Sequence, residues 1–250
     1  MMLPRIIHRI WIGSMPTEEQ LQILSEARKY VRGGAELWLW TTSSVASRFQ
    51  RDNLLMKNVV IRNVNSIWCH PFSKRLPVAQ LHSIFERESR GAFNNNAAAS
   101  DIARLMILYC YGGIYLDMDV LFKTSDFRLF SDLTDIGDCL GMLKLRGGMG
   151  NGVLASKPQS KPVKMCLEKI KERYCSGASG KLSWDTKRDY SCLRMRLTIM
   201  MSGPQVICDT LRTDQLYPII ESNYFAPIDT SGLSYTRRPR VMRRDSVPHF

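Results

Sequence analysis

Asn94 to Phe122 reads NNNAAASDIARLMILYCYGGIYLDMDVLF, a stretch that sets out a capped helix, a stop, a strand and a pair of acids in that order. The three asparagines supply capping side chains, and Ile102, Leu105, Met106, Leu108 and Tyr109 carry apolar surface at helical spacing as far as Tyr111. That spacing leaves Asp101 and Arg104 three apart, on one helix face. Gly112-Gly113 ends the helix, Ile114-Tyr115-Leu116 reads as a short buried strand, and Asp117-Met118-Asp119 stands at its C-terminal end. In an open parallel sheet, that end of a strand is where ligands bind.

Upstream, Arg5 to Ile12 is a β-branched run ending at Gly13 and predicts a first buried strand. Thr17 caps a helix with Glu18 and Glu19 in its first turn, and Gly33-Gly34 stops it. Glu36 to Trp40 repeats the strand signal, Val45 to Leu55 predicts a short helix, and Asn58 to Val64 a third strand. A β-α-β-α-β run predicts a parallel, doubly wound sheet. Pro77 to Glu88 reads as helical, as does a Lys-rich segment from Lys161 to Tyr174, and Gly203-Pro204 reads as a turn. The glycines of Gly147 to Gly152 permit either close backbone approach or a mobile rim.

An Asp-x-Asp pair by itself is weak, because short motifs recur by chance. Residues two apart in extended backbone face the same way, so Asp117 and Asp119 can present both carboxylates to one ion or ligand. No basic residue lies beside them in sequence, which points to a divalent cation as counter-charge. A calcium loop starting at Asp117 would want an acid or amide at Leu121, Gly at Phe122 and Glu at Arg128, so an EF-hand is excluded. An aspartyl-phosphate phosphatase would carry the motif on its first strand with Thr or Val at Leu121. That reading and two plain solvated acids stay open beside a third, a nucleotide-sugar site in which the cation bridges a diphosphate.

For the third reading the surrounding residues count. The pattern of small residues, S-D-x-x-R, an apolar helix and G-G-x-Y-x-D-x-D strongly resembles the sugar-binding region with a DXD motif of GT-A glycosyltransferases. It is similar both to the fungal outer-chain mannosyltransferase family, whose relatives include capsular polysaccharide enzymes, and to the catalytic domains of clostridial glucosylating toxins. PRIIHRIWIG at the start, GNGVLASKP from Gly150 to Pro158 and Ser202-Gly203-Pro204 resemble other blocks of these families in the same order. The resemblance implies an α/β fold of GT-A type, Rossmann-like, with a mixed, mainly parallel sheet flanked by helices. The matching blocks run from residue 4 to about residue 204, and the Arg-rich composition without apolar periodicity from Ser231 on divides the chain into a catalytic domain over residues 1–230 and a basic tail over residues 231–250.

The resemblance also implies roles. Asp119 matches the direct metal ligand, and Asp117 the residue shared between the metal, which is Mn²⁺ or Mg²⁺, and the ribose or sugar hydroxyls. Asp101 matches the residue that binds donor sugar hydroxyls, and Arg104 a sugar or phosphate contact, with an intrahelical ion pair as the alternative for these two. Trp11 matches the stacking surface for the base, with an ordinary core tryptophan as the alternative. Tyr115 matches a toxin-type donor contact, with a core tyrosine as the alternative. Ser100 and Asn151 are weaker matches, beside the donor sugar and near the metal or acceptor side. The implied enzyme is a retaining hexosyl- or N-acetylhexosaminyltransferase using a UDP-sugar, GDP-mannose being the other donor left open. The implied acceptor is a glycan or lipid-linked saccharide, or alternatively a host-protein side chain modified by a secreted effector.

Composition sets limits around this reading. The chain has 250 residues, 44% hydrophobic and 23% charged, ordinary for a globular domain and little more than a catalytic core. With 35 Lys+Arg against 23 Asp+Glu the formal charge is +12 and points to an anionic partner. Five Arg and one Asp between Ser231 and Phe250 hold four of those charges. The Arg237 to Arg244 cluster reads as a lid over the diphosphate, with Asp245, Ser246 or His249 as a further metal ligand, or as a dock for anionic membrane or an acidic protein. A nucleic-acid partner is not expected, because no helix-turn-helix, RRM or zinc module accompanies the charge.

Seven scattered cysteines form no C-x-x-C pair, the four histidines form no H-x-x-x-H pair, and neither a Walker A loop nor a G-x-S-x-G elbow occurs. Lacking a membrane-length apolar run or a signal-peptide pattern, the sequence predicts a cytoplasmic protein, peripheral to a membrane or secreted into a host cell as further options.

Overall fold

The computed structural model describes residues 2–30, 34–52, 59–90, 94–122, 130, 133, 138–145, 148–176, 197–211, 219–220 and 225–227. Strand β1 (Ile6–Trp11) is followed by helix α1 (Glu18–Tyr30), β2 (Glu36–Thr41), α2 (Ser43–Arg51) and β3 (Val59–Asn63). Two 3₁₀ turns, Val64–Cys69 and Pro71–Arg75, lead to α3 (Val78–Ser89) and α4 (Asn96–Tyr111). Then come β4 (Gly113–Leu116), β5 (Val120–Phe122), β6 (Leu140–Leu145), β7 (Gly148–Ser156), α5 (Lys161–Cys175), α6 (Pro204–Leu211), β8 (Ile219–Ile220) and β9 (Phe225–Pro227).

Seven strands make one sheet in the order β3-β2-β1-β4-β7-β6-β8, and β5 pairs with β9 beside it. The β-α-β-α-β half is parallel as its alternation predicts, with Ile7 opposite both Leu37 and Ile114. Beyond β4 the sheet turns antiparallel, because β7 runs back along β4 and β6 forms a hairpin with it. The result is an α/β fold with a mixed, mainly parallel sheet flanked by helices.

Local chemistry sets the element ends. Thr17 and Gln20 form a reciprocal cap at the start of α1: Thr17 N–H donates to Gln20 Oε1 at 2.8 Å and Gln20 N–H to Thr17 Oγ1 at 3.4 Å. Asn95 caps α4 by accepting from Ala98 N–H. At the other end Gly112 (φ +65°) leaves the helix and Gly113 (φ +94°) enters β4, where a Cβ would stand 2.5 Å from the Ile6 carbonyl oxygen. Two adjacent glycines therefore let the most buried helix run straight into the central strand.

Helix α2 begins at Ser43, two residues ahead of the expected start, because Thr42 caps it. Gly203-Pro204 is a break between residues 197–201, which are helical, and α6, which opens on Pro204 where its missing N–H costs nothing. The described glycines of the 147–152 run lie in β7 rather than on a free rim.

The core has two layers. Helices α3, α4 and α5 cover one sheet face, burying Trp40, Leu105, Met106 and Ile107 to 0% exposure. On the opposite face Ile7, Leu37, Ile114 and Leu116 pack with Val120 and Phe130, and Leu24, Leu39, Val45 and Phe49 form a neighbouring cluster. At about 25 cal/mol per Å² of apolar area removed from water, each fully buried side chain of this size contributes about 1.5–3 kcal/mol. No helix among the described residues is long and apolar enough to cross a membrane.

Candidate active site

Helix α4 presents Asp101 and Arg104 toward the C-terminal end of β4. Both are buried, 5% and 4% exposed, and Arg104 Nη2 lies 3.1 Å from Asp101 Oδ1. The same Nη2 lies 3.1 Å from Asp117 Oδ1, so one guanidinium bridges the helix acid and the strand-end acid. Its other donors go to the Asn151 carbonyl at 2.7 Å and to Ser100, while Cζ sits 4.6 Å from the Tyr115 ring centroid. The intrahelical ion pair and the reach to the acid pair thus coexist in one side chain.

Asp101 also accepts from Asn151 Nδ2 at 2.8 Å and from Ser202 Oγ at 3.2 Å. Burial pushes its carboxyl up to about 6, against the pull of Arg104. Burial likewise works against the charge on Arg104, but Asp117, Tyr115 and Asp101 more than reverse this and raise it, so it stays a cation. Tyr115, 1% exposed, donates its hydroxyl to Asp117 Oδ1 at 2.6 Å, and Ser100 Oγ lies 3.4 Å from the Tyr115 hydroxyl oxygen. Burial, first of several causes, raises the Tyr115 phenol well above its ordinary value and keeps it a donor.

The backbone at the acids departs from expectation. Residues 117–119 do not continue the strand: Val120 N–H donates to the Asp117 carbonyl at 3.0 Å and closes a turn between β4 and β5. Two features produce it. Asp117 N–H donates to the Gly152 carbonyl at 2.8 Å, and Arg9 reaches up from β1 to donate to the Asp117 carbonyl (Nη1, 2.7 Å) and the Val120 carbonyl (Nη2, 2.7 Å). The pair also has basic company after all, since Arg9 and Arg104 come from 108 and 13 residues upstream of Asp117 and act on both acids. Burial lowers Arg9 to about 10, with Tyr115, Asp119 and Asp117 opposing, so it too remains charged near neutral pH.

Gly152 fits the close-approach reading of the glycine run: a Cβ there would lie 2.9 Å from Asp117 Oδ2. Beneath the site, His8 accepts from Trp40 Nε1 at Nδ1 (3.1 Å), which leaves Nε2 to donate to the Gly112 carbonyl at 2.8 Å. Burial holds this imidazole down at about 4, neutral. It ties β1 to the end of α4.

Of the residues expected at the site, Ser100, Asp101, Arg104, Tyr115, Asp117 and Asn151 form one hydrogen-bonded group. Asp119 is half-buried in the 117–120 turn and lies in the electrostatic reach of both arginines. Trp11 ends β1, gives its indole N–H to the Ser14 carbonyl at 2.6 Å, and packs on the same cluster as Met118 of the acid turn. The Arg237 to Arg244 cluster, Asp245, Ser246 and His249 lie outside the described residues. Arg9 escaped notice, although a lone arginine in the apolar run IIHRIW was a signal. Ser202 was noted only as part of a block, and its bond to Asp101 spans 101 residues of sequence.

No group of three His, Cys, Asp or Glu side chains among the described residues makes a complete metal cage. Asp117 and Asp119 instead offer a partial set of hard oxygen donors. Carboxylate oxygens of this kind are the donors that a hard divalent cation prefers.

Comparison with known proteins agrees with this geometry. Residues 18–132 match the family model described as glycosyltransferase sugar-binding region containing DXD motif. Over 120 residues the chain is 31% identical to Subversion of eukaryotic traffic protein A of Legionella pneumophila subsp. pneumophila (strain Philadelphia 1), a match that covers 46% of this chain and 17% of that protein. Its fold is similar to the UDP-bound glycosyltransferase domain of the YGT toxin, with a TM-score of 0.66 and 12% identity over 94% of this chain and 82% of that one. It is also similar to the catalytic domain of Clostridium novyi alpha-toxin, with a TM-score of 0.57 and 12% identity over 99% of this chain and 81% of that one. Over residues 18–132 the chain is thus similar to the DXD-containing sugar-binding region of glycosyltransferases, and its fold is of the GT-A type seen in these toxin glycosyltransferase domains.

Proposed function

We propose that this chain transfers a hexose or N-acetylhexosamine from a UDP-sugar to a side chain of a host protein, with retention of anomeric configuration. The donor half rests on one observation: Arg104 joins Asp101 of the helix to Asp117 of the strand-end turn, which gathers a fixed cation and two acids at the C-terminal end of β4, where ligands bind in such sheets.

In this reading Asp117 and Asp119 hold Mn²⁺ or Mg²⁺. When bound, that cation supplies Lewis-acid stabilisation of the departing nucleotide diphosphate. Arg104 adds a fixed positive charge on the phosphate side, and Tyr115 keeps the Asp117 carboxylate in one orientation. Asp101 accepts donor sugar hydroxyls. Its oxygens already take bonds from Arg104, Asn151 and Ser202, which makes it a poor nucleophile and favours a front-face transfer in which the leaving phosphate takes the acceptor proton. Ser100 and Asn151 line the sugar side, and Trp11 stacks on the base. In this reading the catalytic domain spans residues 1–230.

The acceptor half is supported by the likeness to toxin glycosyltransferase domains and to the Legionella protein, of whose length the chain spans 17%. These favour an effector acting on a host protein over an enzyme building glycans or lipid-linked saccharides. A panel of UDP- and GDP-sugars with Mn²⁺, read by released nucleotide and by the anomer of the released sugar, tests the donor. Hydrolysis of a UDP-sugar with retention is expected. No release from any donor would overturn the reading, and release only from GDP-mannose would move it to the mannosyltransferase side.

A further inference from the structure

We infer that Arg9 is a positioning residue for the acid turn: its buried guanidinium holds the Asp117 and Val120 carbonyls and so sets where the two carboxylates meet a divalent cation and the donor diphosphate. The inference rests on the nucleotide-sugar reading above.

Arg9 sits on β1 opposite Leu39, on the sheet face that otherwise buries Ile7, Leu37, Ile114 and Leu116, and it is 0% exposed. A cation in such a layer is costly unless its charge and donors are met. Here both terminal nitrogens are met by the backbone of a single turn, at 2.7 Å each, while Nε has no hydrogen-bond partner among the described residues. The Asp117 carbonyl also receives Val120 N–H, so Arg9 and the turn's own closing bond converge on one oxygen. Asp117 is thereby held at both ends, its carbonyl by Arg9 and its carboxylate by Arg104 and Tyr115.

The two ends do different work. Arg104 competes for the carboxylate that meets the cation, whereas the two hydrogen bonds of the Arg9 terminal nitrogens go to main-chain carbonyls. Its charge also acts on Asp119 and Asp117 and so offsets their mutual repulsion. A lysine is a single point of charge without the planar fork, so it cannot span both carbonyls in the same way.

The test uses the full chain with Arg9→Met and Arg9→Lys. Three quantities are read: the melting temperature, Mn²⁺ binding in the presence of UDP followed by the free-Mn²⁺ EPR signal, and the Mn²⁺ concentration for half-maximal UDP-sugar hydrolysis. Arg9→Met is expected to fold and to need at least about threefold more Mn²⁺ in both titrations, with Arg9→Lys recovering part of the loss. A shift below about threefold in folded Arg9→Met overturns the inference. So does unfolding of both variants at assay temperature, which would make Arg9 a residue of the fold alone. A parent chain that neither binds Mn²⁺ with UDP nor hydrolyses any nucleotide-sugar removes the donor reading and this inference together. Parent binding that Arg9→Met leaves intact removes the role of Arg9 only.

Discussion

The Tyr115 hydroxyl donates to Asp117 Oδ1 at 2.6 Å, although the two residues are only two apart and Leu116 between them points into the opposite sheet layer. The pleat sends Tyr115 toward α4, and the chain then bends so that the carboxylate of Asp117 comes back over the phenol. Tyr115→Phe keeps the packing and removes one hydrogen bond to a charged group, worth about 1.5–3 kcal/mol. We expect the melting temperature to drop by roughly 3–12 °C, and kcat measured well below the melt to fall roughly tenfold to a hundredfold. A melt that moves while kcat stays at the parent value would mark Tyr115 as a structural tyrosine.

Gly152 limits the same carboxylate from the other side. Gly152→Ala brings a methyl to 2.9 Å from Asp117 Oδ2, closer than real contacts allow, so either the carboxylate rotates or β7 shifts. UDP-sugar hydrolysis should drop by at least about tenfold, and the Mn²⁺ dependence should move to higher concentration. A variant that matches the parent in both would show that Asp117 has room the packing does not suggest.

Arg104 is the counter-charge for two acids at once. Arg104→Met leaves buried Asp101 with the neutral donors of Asn151 and Ser202 and the like charge of Asp117, and should cost about 3–5 kcal/mol of stability. Adding Asp101→Asn should recover part of that loss, measured by urea unfolding of both single variants and the double. Strict additivity of the two single effects would mean that the pair does not interact energetically.

Two buried groups give opposite pH dependences. His8, held down at about 4, is neutral in the fold, so its contribution is present above the unfolded value near 6.5 and lost as pH falls toward 4. Asp101, raised to about 6, binds its proton more tightly folded than unfolded, so its contribution is full below about 4 and lost as pH rises through 6. Each shift spans about two units, or about 3 kcal/mol, and the two offset one another in the native chain between about pH 4 and 6. Asp101→Asn removes one side of the balance. Its stability relative to the parent should fall by about 3 kcal/mol between pH 7 and pH 4, read by chemical denaturation at both values. A difference that does not change with pH would place the Asp101 proton affinity near that of an ordinary carboxyl.

The metal assignment has its own check. Asp119→Ala should abolish Mn²⁺-dependent UDP-sugar hydrolysis while the melting temperature stays close to the parent, because the side chain is half-buried in a surface turn. Full retained activity would remove Asp119 from the cation site.

Much of the fold was legible in local sequence. Thr17, Asn95 and Gly112-Gly113 mark helix ends by their own capping or positive-φ chemistry, and the alternation from Ile6 to Asn63 carries a parallel half-sheet. The antiparallel return of β7 was not, because strand direction depends on which partner is nearest in space. At the acid pair the same division holds. Asp117 and Asp119 could be singled out from spacing and from the length of the surrounding pattern. Their turn could not, since it is drawn by Arg9 from 108 residues upstream and by the Gly152 carbonyl from 35 residues downstream.

By itself, then, the sequence determined the elements around the site and the residue types that carry its chemistry, because capping, periodicity and glycine conformation act over a few neighbouring residues. The tertiary structure alone decided the electrostatics: that two buried arginines stand against the acids, that Ser202 and Asn151 hold Asp101, and that the D-x-D backbone is bent. Those are through-space effects between groups brought together by packing, and no local pattern encodes them.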